Sequence, residues 1–216
     1  RRLAFSTVSQ ISYIVLGAAL GGPIGTIAAL VHIVHQGLLK ITLFFCAGNL
    51  AEVFGIHHVH EVDGIGRRMP ATMAAFTIAA FGIIGLPPFA GFISKWYLAG
   101  GAIEVGAYWA VPIVVASSVL NAAYFLPIVY AAWFRPLAHH APPLRKIGAW
   151  LMVPPLVTAG LSIAAGLFAG SLISPLQWAE VIAERTYWGI APTPAPPPEP
   201  SPPPEPSPTP EPSPTP

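Results

Sequence analysis

Side chains that can pass protons to one another lie inside one of the apolar segments of the chain. The stretch from His32 to Lys40 carries His32, His35, Gln36 and Lys40 among aliphatic residues. On a helix, His32, Gln36 and Lys40 would share one face, because residues four apart are neighbours. Histidine exchanges protons near neutral pH, and a lysine removed from water releases its proton more readily. This spacing predicts a proton path along His32, Gln36 and Lys40, with His35 at its flank. The alternative interpretation is structural: Lys40 extends to the membrane surface and the histidines cap backbone groups.

A second candidate site lies in a segment rich in helix-breaking residues. These residues are Gly85, Pro87, Pro88 and Gly91. Two consecutive prolines remove two amide donors and clash with the preceding turn, so the pattern predicts a flexible, broken helix near residues 85–91. Broken helices mark ion paths in transporters, and Lys95 follows this break. Lys95 is therefore a candidate proton carrier; the alternative is an interfacial lysine beside Trp96 and Tyr97.

Long apolar segments must position these residues. The chain has 216 residues, of which 54% are hydrophobic and 9% charged, with a mean hydropathy of +0.63. A soluble domain carries about 25% charged residues. The composition excludes a soluble globular enzyme, and the net charge of +1 without a basic cluster excludes a nucleic-acid binder. The sequence predicts an all-α integral membrane protein with five transmembrane helices, the third broken at Pro87-Pro88. The five segments are residues 3–20, 24–51, 71–99, 108–134 and 147–173.

The remaining polar residues of the spans are interpreted as packing residues, because neutral polar side chains commonly join helices in lipid. The alternative is that they line a hydrated path. They are Ser6, Thr7, Ser9, Gln10 and Ser12 in the first span, and Ser117, Ser118, Asn121, Tyr124 and Tyr130 in the fourth. A histidine cluster at His57, His58 and His60 is expected in a solvated loop, since no cysteine or fourth ligand accompanies it. The sequence predicts no metal site and no cofactor.

Basic residues fall on alternate connections between the spans. Seven of the ten Lys and Arg residues lie before the first span, between the second and third, or between the fourth and fifth. The positive-inside rule makes this side cytoplasmic, so the chain is expected to start in the cytoplasm and end outside. The predicted divisions are a transmembrane domain over 1–175, an interfacial helix over 176–191 and a disordered, Pro-rich tail over 192–216. Because the first residue is Arg1, the chain is expected to be the downstream part of a longer protein.

Four motifs in order make this chain resemble the antiporter-like membrane subunits. They are the stretches Arg2–Tyr13, His32–Gly48, Gly64–Pro70 and Gly85–Lys95. That family comprises large subunits of Mrp-type monovalent cation/proton antiporters, the antiporter-like subunits of respiratory complex I, and relatives in membrane-bound hydrogenases. The resemblance covers about residues 1–175, and within the family it is nearest to the D-type large subunit of the Mrp antiporters.

The resemblance implies a fold and a set of site residues. The family has a fourteen-helix core with two inverted five-helix repeats, each holding one broken helix, and the five spans here correspond to its last five helices. The family's broken-helix lysine matches Lys95 and its other buried lysine matches Lys40. A histidine pair four apart, present in some members, would fall on His32 and Gln36; here the second position is glutamine and His35 is displaced by one residue.

The resemblance also implies a function. The chain is expected to belong to a proton-translocating subunit of a multisubunit Na⁺/proton antiporter in the cell (inner) membrane, with other membrane subunits as partners and protons and Na⁺ as ions. One alternative is a membrane-arm proton-pumping subunit of NADH-quinone oxidoreductase or a membrane-bound hydrogenase, without redox centres of its own. The others are a scaffold that transports nothing and an inactive fragment.

Overall fold

The described part of the chain is helical throughout. The computed structural model describes residues 2–137 and 148–189, and within them every regular element is an α-helix or a short 3₁₀ helix. The α-helices are α1 (Arg2–Leu20), α2 (Gly22–Phe54), α3 (Pro70–Ile84), α4 (Ala90–Glu104), α5 (Ala110–Phe134), α6 (Ala149–Leu167) and α7 (Pro175–Tyr187). Two 3₁₀ turns, Val59–Glu61 and Ile65–Arg67, lie in the connection between α2 and α3. The all-α prediction is confirmed.

Four of these helices are long and apolar enough to cross a membrane: α1, α2, α5 and α6. The third predicted span consists of two shorter helices, α3 and α4, separated by residues 85–89. The break therefore lies where the prolines and glycines predict it. A bilayer core of about 30 Å needs roughly 20 helical residues, and α3 and α4 meet that length only together.

Helix α2 is the central element of the bundle. Its 33 residues extend over about 50 Å, and it packs against α1, α3, α4, α6 and α7. The main apolar core runs along its second half, where Leu39 and Leu43 meet Met73 and Ile83 of α3 and Phe125 of α5. Because α2 is enclosed on most sides, the polar residues in its middle are buried: His32, His35, Gln36, Lys40, Thr42 and Asn49.

Helix α1 has an apolar outer face and a polar inner face. Phe5, Val8, Ile11 and Val15 are exposed, whereas Ser6, Gln10 and Tyr13 are buried against the bundle. A helix in a soluble protein shows the opposite arrangement, with its apolar face inward. The reversal agrees with lipid outside the bundle and a polar interior.

Different connections between helices lie at the two ends of the bundle. At one end, the Gly64 N–H donates to the Ala131 carbonyl at 2.9 Å, and Arg135 lies 3.4 Å from the Asp63 carboxylate, so the 55–69 connection is tied to the end of α5. At the other end lie the α1–α2 and α4–α5 turns, and α7 packs beside them on α2. Arg67 and Arg68 share the first end with Arg135. Which end faces the cytoplasm stays a prediction.

Part of the predicted organisation lies outside the described residues. The Pro-rich tail over 192–216 and the basic residues Arg145 and Lys146 are in this category. The predicted interfacial segment over 176–191 corresponds in its described part to α7, which Ser174 caps by accepting a hydrogen bond from the Gln177 N–H at 3.1 Å. The domain bounds themselves stay predictions.

Candidate functional site

The break between α3 and α4 begins with a glycine in the left-handed conformation. Gly85 has φ of +90° and ends α3, with its own N–H and that of Leu86 both donating to the Phe81 carbonyl. This is the usual way in which a helix ends at glycine. Pro87 and Pro88, joined by a cis peptide bond, then lead into α4 at Ala90. Because neither proline can donate a backbone hydrogen bond, the helix cannot continue through them.

Glycines also allow the helices around the break to approach closely. A side chain at Gly91 would collide with the backbone carbonyl of Gly82, and one at Gly166 of α6 would collide with the Pro88 carbonyl. A side chain at Gly85 would meet Lys95 Cδ at 2.9 Å. From the sequence, Gly85 and Gly91 were expected to make the broken helix flexible. In the structure, their lack of a side chain leaves space for Lys95 and for the Gly82 carbonyl, respectively.

Lys95 is held at the carboxyl end of α3. Its Nζ donates to the carbonyls of Ile83 at 2.8 Å and Ile84 at 3.0 Å, and to Ser118 Oγ of α5 at 2.9 Å. The last carbonyls of a helix lack partners within the helix and carry a partial negative charge. The break therefore creates a binding place for an ammonium group inside an apolar bundle.

Tyr13 of α1 connects this lysine to the histidine of α2. Its ring centroid lies 5.3 Å from Lys95 Nζ and 5.4 Å from the centroid of the His32 ring, to which it is edge-on. His32 Nδ1 is 2.8 Å from Ser94 Oγ, the residue immediately before Lys95 on α4. His32, Tyr13 and Lys95 thus form one buried group assembled from three helices.

Lys40 occupies a separate position on α2. Its Nζ donates to Ser6 Oγ of α1 at 2.6 Å, and both side chains are buried. Among the described residues, no carboxylate lies within ion-pairing distance of Lys40 or Lys95. Both ammonium groups therefore depend on neutral oxygen acceptors.

Between these two positions lie buried polar groups that lack protein partners. Gln10 of α1 and His35 and Gln36 of α2 are buried, and both amide atoms of Gln10 and the Gln36 amide nitrogen make no hydrogen bond to the described residues. His35 is completely buried, and neither of its ring nitrogens makes a hydrogen bond to the described residues. Buried polar groups without protein partners are the places where internal water binds. The predicted residues His32, Gln36 and Lys40 share an interior face, and His32 and Lys40 are hydrogen-bonded to serines of other helices rather than to one another.

Five residues of this site were not predicted from the sequence as members of it: Ser6, Gln10, Tyr13, Ser94 and Ser118. Ser6 and Ser118 were interpreted as packing residues, yet each contacts a lysine, and Tyr13 was not singled out. A usable signal was present in α1, where Ser6, Gln10 and Tyr13 recur at helical spacing against an apolar opposite face. No such regularity distinguished Ser118 from its neighbours.

The histidine cluster after α2 lies apart from this site. His57, His58 and His60 are exposed, and the Glu61 carboxylate accepts hydrogen bonds from the backbone N–H groups of His57 at 2.9 Å and His58 at 3.0 Å. These bonds, that of His58 foremost, hold the pKa of the Glu61 carboxyl below its usual value. Among the described residues, no three His, Cys, Asp or Glu side chains are arranged to hold a metal ion.

A family comparison identifies this arrangement of helices. The family described as NADH:quinone oxidoreductase/Mrp antiporter, TM, matches residues 1–121, which is more than half of the chain. The chain belongs to this family. The matched region contains α1 to α4 and about half of α5, and with them every lysine and histidine of the site.

Individual relatives agree with this assignment. NADH-quinone oxidoreductase subunit N of Desulforudis audaxviator is 40% identical over 186 residues, which cover 81% of this chain and 37% of the relative. A chain of the Mrp complex from a Dietzia species superposes with a TM-score of 0.77 at 26% identity, covering 87% of this chain and 42% of that one. A chain of the membrane-bound sulfane sulfur reductase, an archaeal respiratory membrane complex, superposes with a TM-score of 0.70 at 28% identity. The match covers 76% of this chain and 27% of that one.

These comparisons confirm an antiporter-like, multi-pass membrane subunit of the complex I and Mrp family. The chain spans less than half the length of each of these three relatives. The finer resemblance to the D-type Mrp protein is not confirmed, because the relative with 40% identity is a subunit N of NADH-quinone oxidoreductase.

Proposed function

We propose that the chain forms a proton-conducting half-channel of a larger membrane subunit, with Lys40 and Lys95 as its two proton carriers. The observation that carries this proposal is the position of Lys95, whose ammonium group is bound by the two carbonyls exposed at the helix break. An ionisable group inside a membrane is costly to maintain, and such groups commonly belong to ion paths.

The proton would move between the two lysines through the residues that separate them. Lys40 would pass a proton toward Gln36, His35 and His32, with water hydrogen-bonded to the buried groups that lack protein partners. His32 lies against Ser94 and Tyr13, and so beside Lys95. Charges interact strongly in a medium of low dielectric constant, so a second cation in the path would favour release of the proton from Lys95.

The partner complex determines what drives this path. We favour a respiratory NADH-quinone oxidoreductase in the cell membrane as the parent complex, because subunit N of Desulforudis audaxviator is 40% identical over 81% of the chain. Sodium/proton exchange by an Mrp-type antiporter is the second candidate, supported by the TM-score of 0.77 with a chain of the Mrp complex. In both cases we propose that the 55–69 connection faces the cytoplasm, as the basic residues indicate.

The test is proton flux in inverted membrane vesicles that contain the full-length parent complex. Lys95→Ala removes the carrier, whereas Lys95→Arg retains a positive charge that does not deprotonate at any accessible pH. NADH and a sodium gradient serve as alternative drivers. We expect both variants to reduce flux with the physiological driver at least about tenfold, equivalent to about 1.4 kcal/mol in the transport barrier.

The outcomes separate the candidates. Loss of NADH-driven flux assigns the chain to the respiratory branch, and loss of sodium-driven flux assigns it to the antiporter branch. Full activity of both variants in an assembled complex would contradict the proposal and favour a scaffold. Activity of Lys95→Arg alone would show that Lys95 supplies a fixed charge and carries no proton.

A further inference from the structure

A carboxylate on α7 contacts the bundle at the end opposite the 55–69 connection. The Tyr97 hydroxyl of α4 donates to Glu180 Oε1 of α7 at 3.0 Å. A second contact joins the hydroxyls of Tyr187 and Thr26 at 2.9 Å. Thr26 lies in the first turns of α2, so both contacts are near the α1–α2 turn. The charge pattern predicts that this end of the bundle is the outer one.

Packing fixes the direction in which Glu180 points. The buried face of α7 consists of Leu176, Ala179 and Ala183, and this face lies in one apolar cluster with Ile27 and Val31 of α2. Trp178 and Glu184 are on the exposed face of α7. Glu180 is half-buried at the border between the two faces, which brings its carboxylate to α4.

The α4 face that contacts α7 also leads to the buried site. Ser94, which is bound to His32, and Tyr97 are three residues apart and are therefore neighbours on the helix surface. Tyr97 lies about 4.5 Å further along the axis, toward the end of the bundle where α7 packs. His32, Ser94, Tyr97 and Glu180 thus follow one another from the interior to the surface.

We infer that Glu180 is the outer proton acceptor of the half-channel and that Tyr97 passes the proton to it. The inference rests on the proposed function and adds an exit to it. The phenolic O–H bond of Tyr97 breaks as its proton forms an O–H bond with Glu180 Oε1. At the same time the Tyr97 oxygen receives the arriving proton from a hydrogen-bonded water on the Ser94 side. Tyr97 ends unchanged, and the neutral Glu180 releases its proton to water at the surface.

The test compares two glutamates of α7 in the full-length parent complex in inverted vesicles. Glu180→Gln keeps an oxygen that can accept the Tyr97 hydrogen bond, so α7 remains docked, but the amide does not bind a proton. Glu184→Gln makes the same change one turn away, on the exposed face. We expect Glu180→Gln to reduce proton flux at least about tenfold, in line with the loss of a positioned proton acceptor. Glu184→Gln should leave the flux unchanged.

A second variant separates proton transfer from docking. In Glu180→Ala, added formate would supply the missing carboxylate, and we expect it to restore part of the flux. A complex that had lost only the docking of α7 would not respond to formate, so absence of rescue would overturn the inference. Equal loss in Glu180→Gln and Glu184→Gln would overturn it as well, because it would indicate a general effect of surface charge.

The same vesicles distinguish failure of this inference from failure of the proposed function. If Glu180→Gln transports normally while Lys95→Ala does not, the exit lies elsewhere and the half-channel stands. If neither variant changes the flux, the half-channel itself is contradicted.

Discussion

The two buried lysines lie in regions of different construction. Lys40 is inside the continuous helix α2 and has one hydrogen-bond acceptor among the described residues, the hydroxyl of Ser6. Lys95 follows a helix break and has three acceptors, two of which are backbone carbonyls. A continuous helix consumes its own carbonyls, so a neighbouring helix must supply the acceptor. A break exposes carbonyls that no side-chain substitution removes.

The largest effect is expected where the break depends on close backbone approach. Gly91→Ala would place a methyl group against the Gly82 carbonyl, so α3 and α4 must move apart. We expect the parent complex to lose on the order of 2 kcal/mol or more of stability, with loss of transport. Thermal unfolding followed by size-exclusion chromatography of the purified complex measures this loss.

Gly37→Ala is the matched control in the continuous helix. An added Cβ at Gly37 meets no atom of a neighbouring element within 4 Å, and alanine is the better helix former. The complex should be unchanged or more stable by up to about 1 kcal/mol. Equal destabilisation by both substitutions would show that the break is no more sensitive than the rest of the bundle.

An intermediate effect should separate the two lysines by their acceptors. Ser6→Ala removes the one acceptor of Lys40 and leaves a buried donor unpaired, which costs about 1–3 kcal/mol. Ser118→Ala leaves Lys95 with two carbonyls. We expect proton flux to fall roughly tenfold in the first variant and about twofold in the second.

Threonine substitutions serve as controls, because Ser6→Thr and Ser118→Thr retain the hydroxyl. Both should transport protons at close to the normal rate. The comparison between the two lysines would be wrong if Ser118→Ala were the more damaging of the two alanine variants.

The smallest effect is expected in the exposed 55–69 connection, which joins α2, the helix of Lys40, to α3, the helix that precedes the break and Lys95. Hydrogen bonds from the His58 and His57 backbones hold the pKa of Glu61 below its usual value, so its contribution to this connection is present at neutral pH. That contribution is lost as the pH falls through the lowered pKa. The amide protons of His57 and His58 should therefore lose protection in acid, measured as the exchange rate relative to that of an unstructured peptide at the same pH, and Glu61→Gln should show the lower protection already at neutral pH. Proton flux should not change, and a large fall would link this connection to transport.

Sequence reasoning located both lysines and the break because single residues define them. A lysine in an apolar span and two consecutive prolines can be recognised without knowing which residues lie beside them in the folded protein. Which side chain accepts from which lysine could not be predicted, because the partners lie far apart along the chain. Ser6 and Lys40 are 34 positions apart, and Ser118 and Lys95 are 23 apart, so only the packing of α1 and α5 brings them together.

Two proline pairs show what the sequence determined and what only the tertiary structure decided. Apolar composition and length determined the helical spans, since a backbone in lipid must satisfy its own hydrogen bonds. Pro87-Pro88 separates α3 from α4, yet Pro154 and Pro155 lie within the continuous helix α6. There Pro155 cannot donate to the Leu151 carbonyl, and the side-chain amide of Asn49 on α2 donates to it instead, at 2.5 Å. At the break, Lys95 does the same for the carbonyls of Ile83 and Ile84, to which Pro87 and Pro88 cannot donate. The prolines thus determined which carbonyls lose their backbone donors, and only the packing of the helices decided which side chains replace those donors.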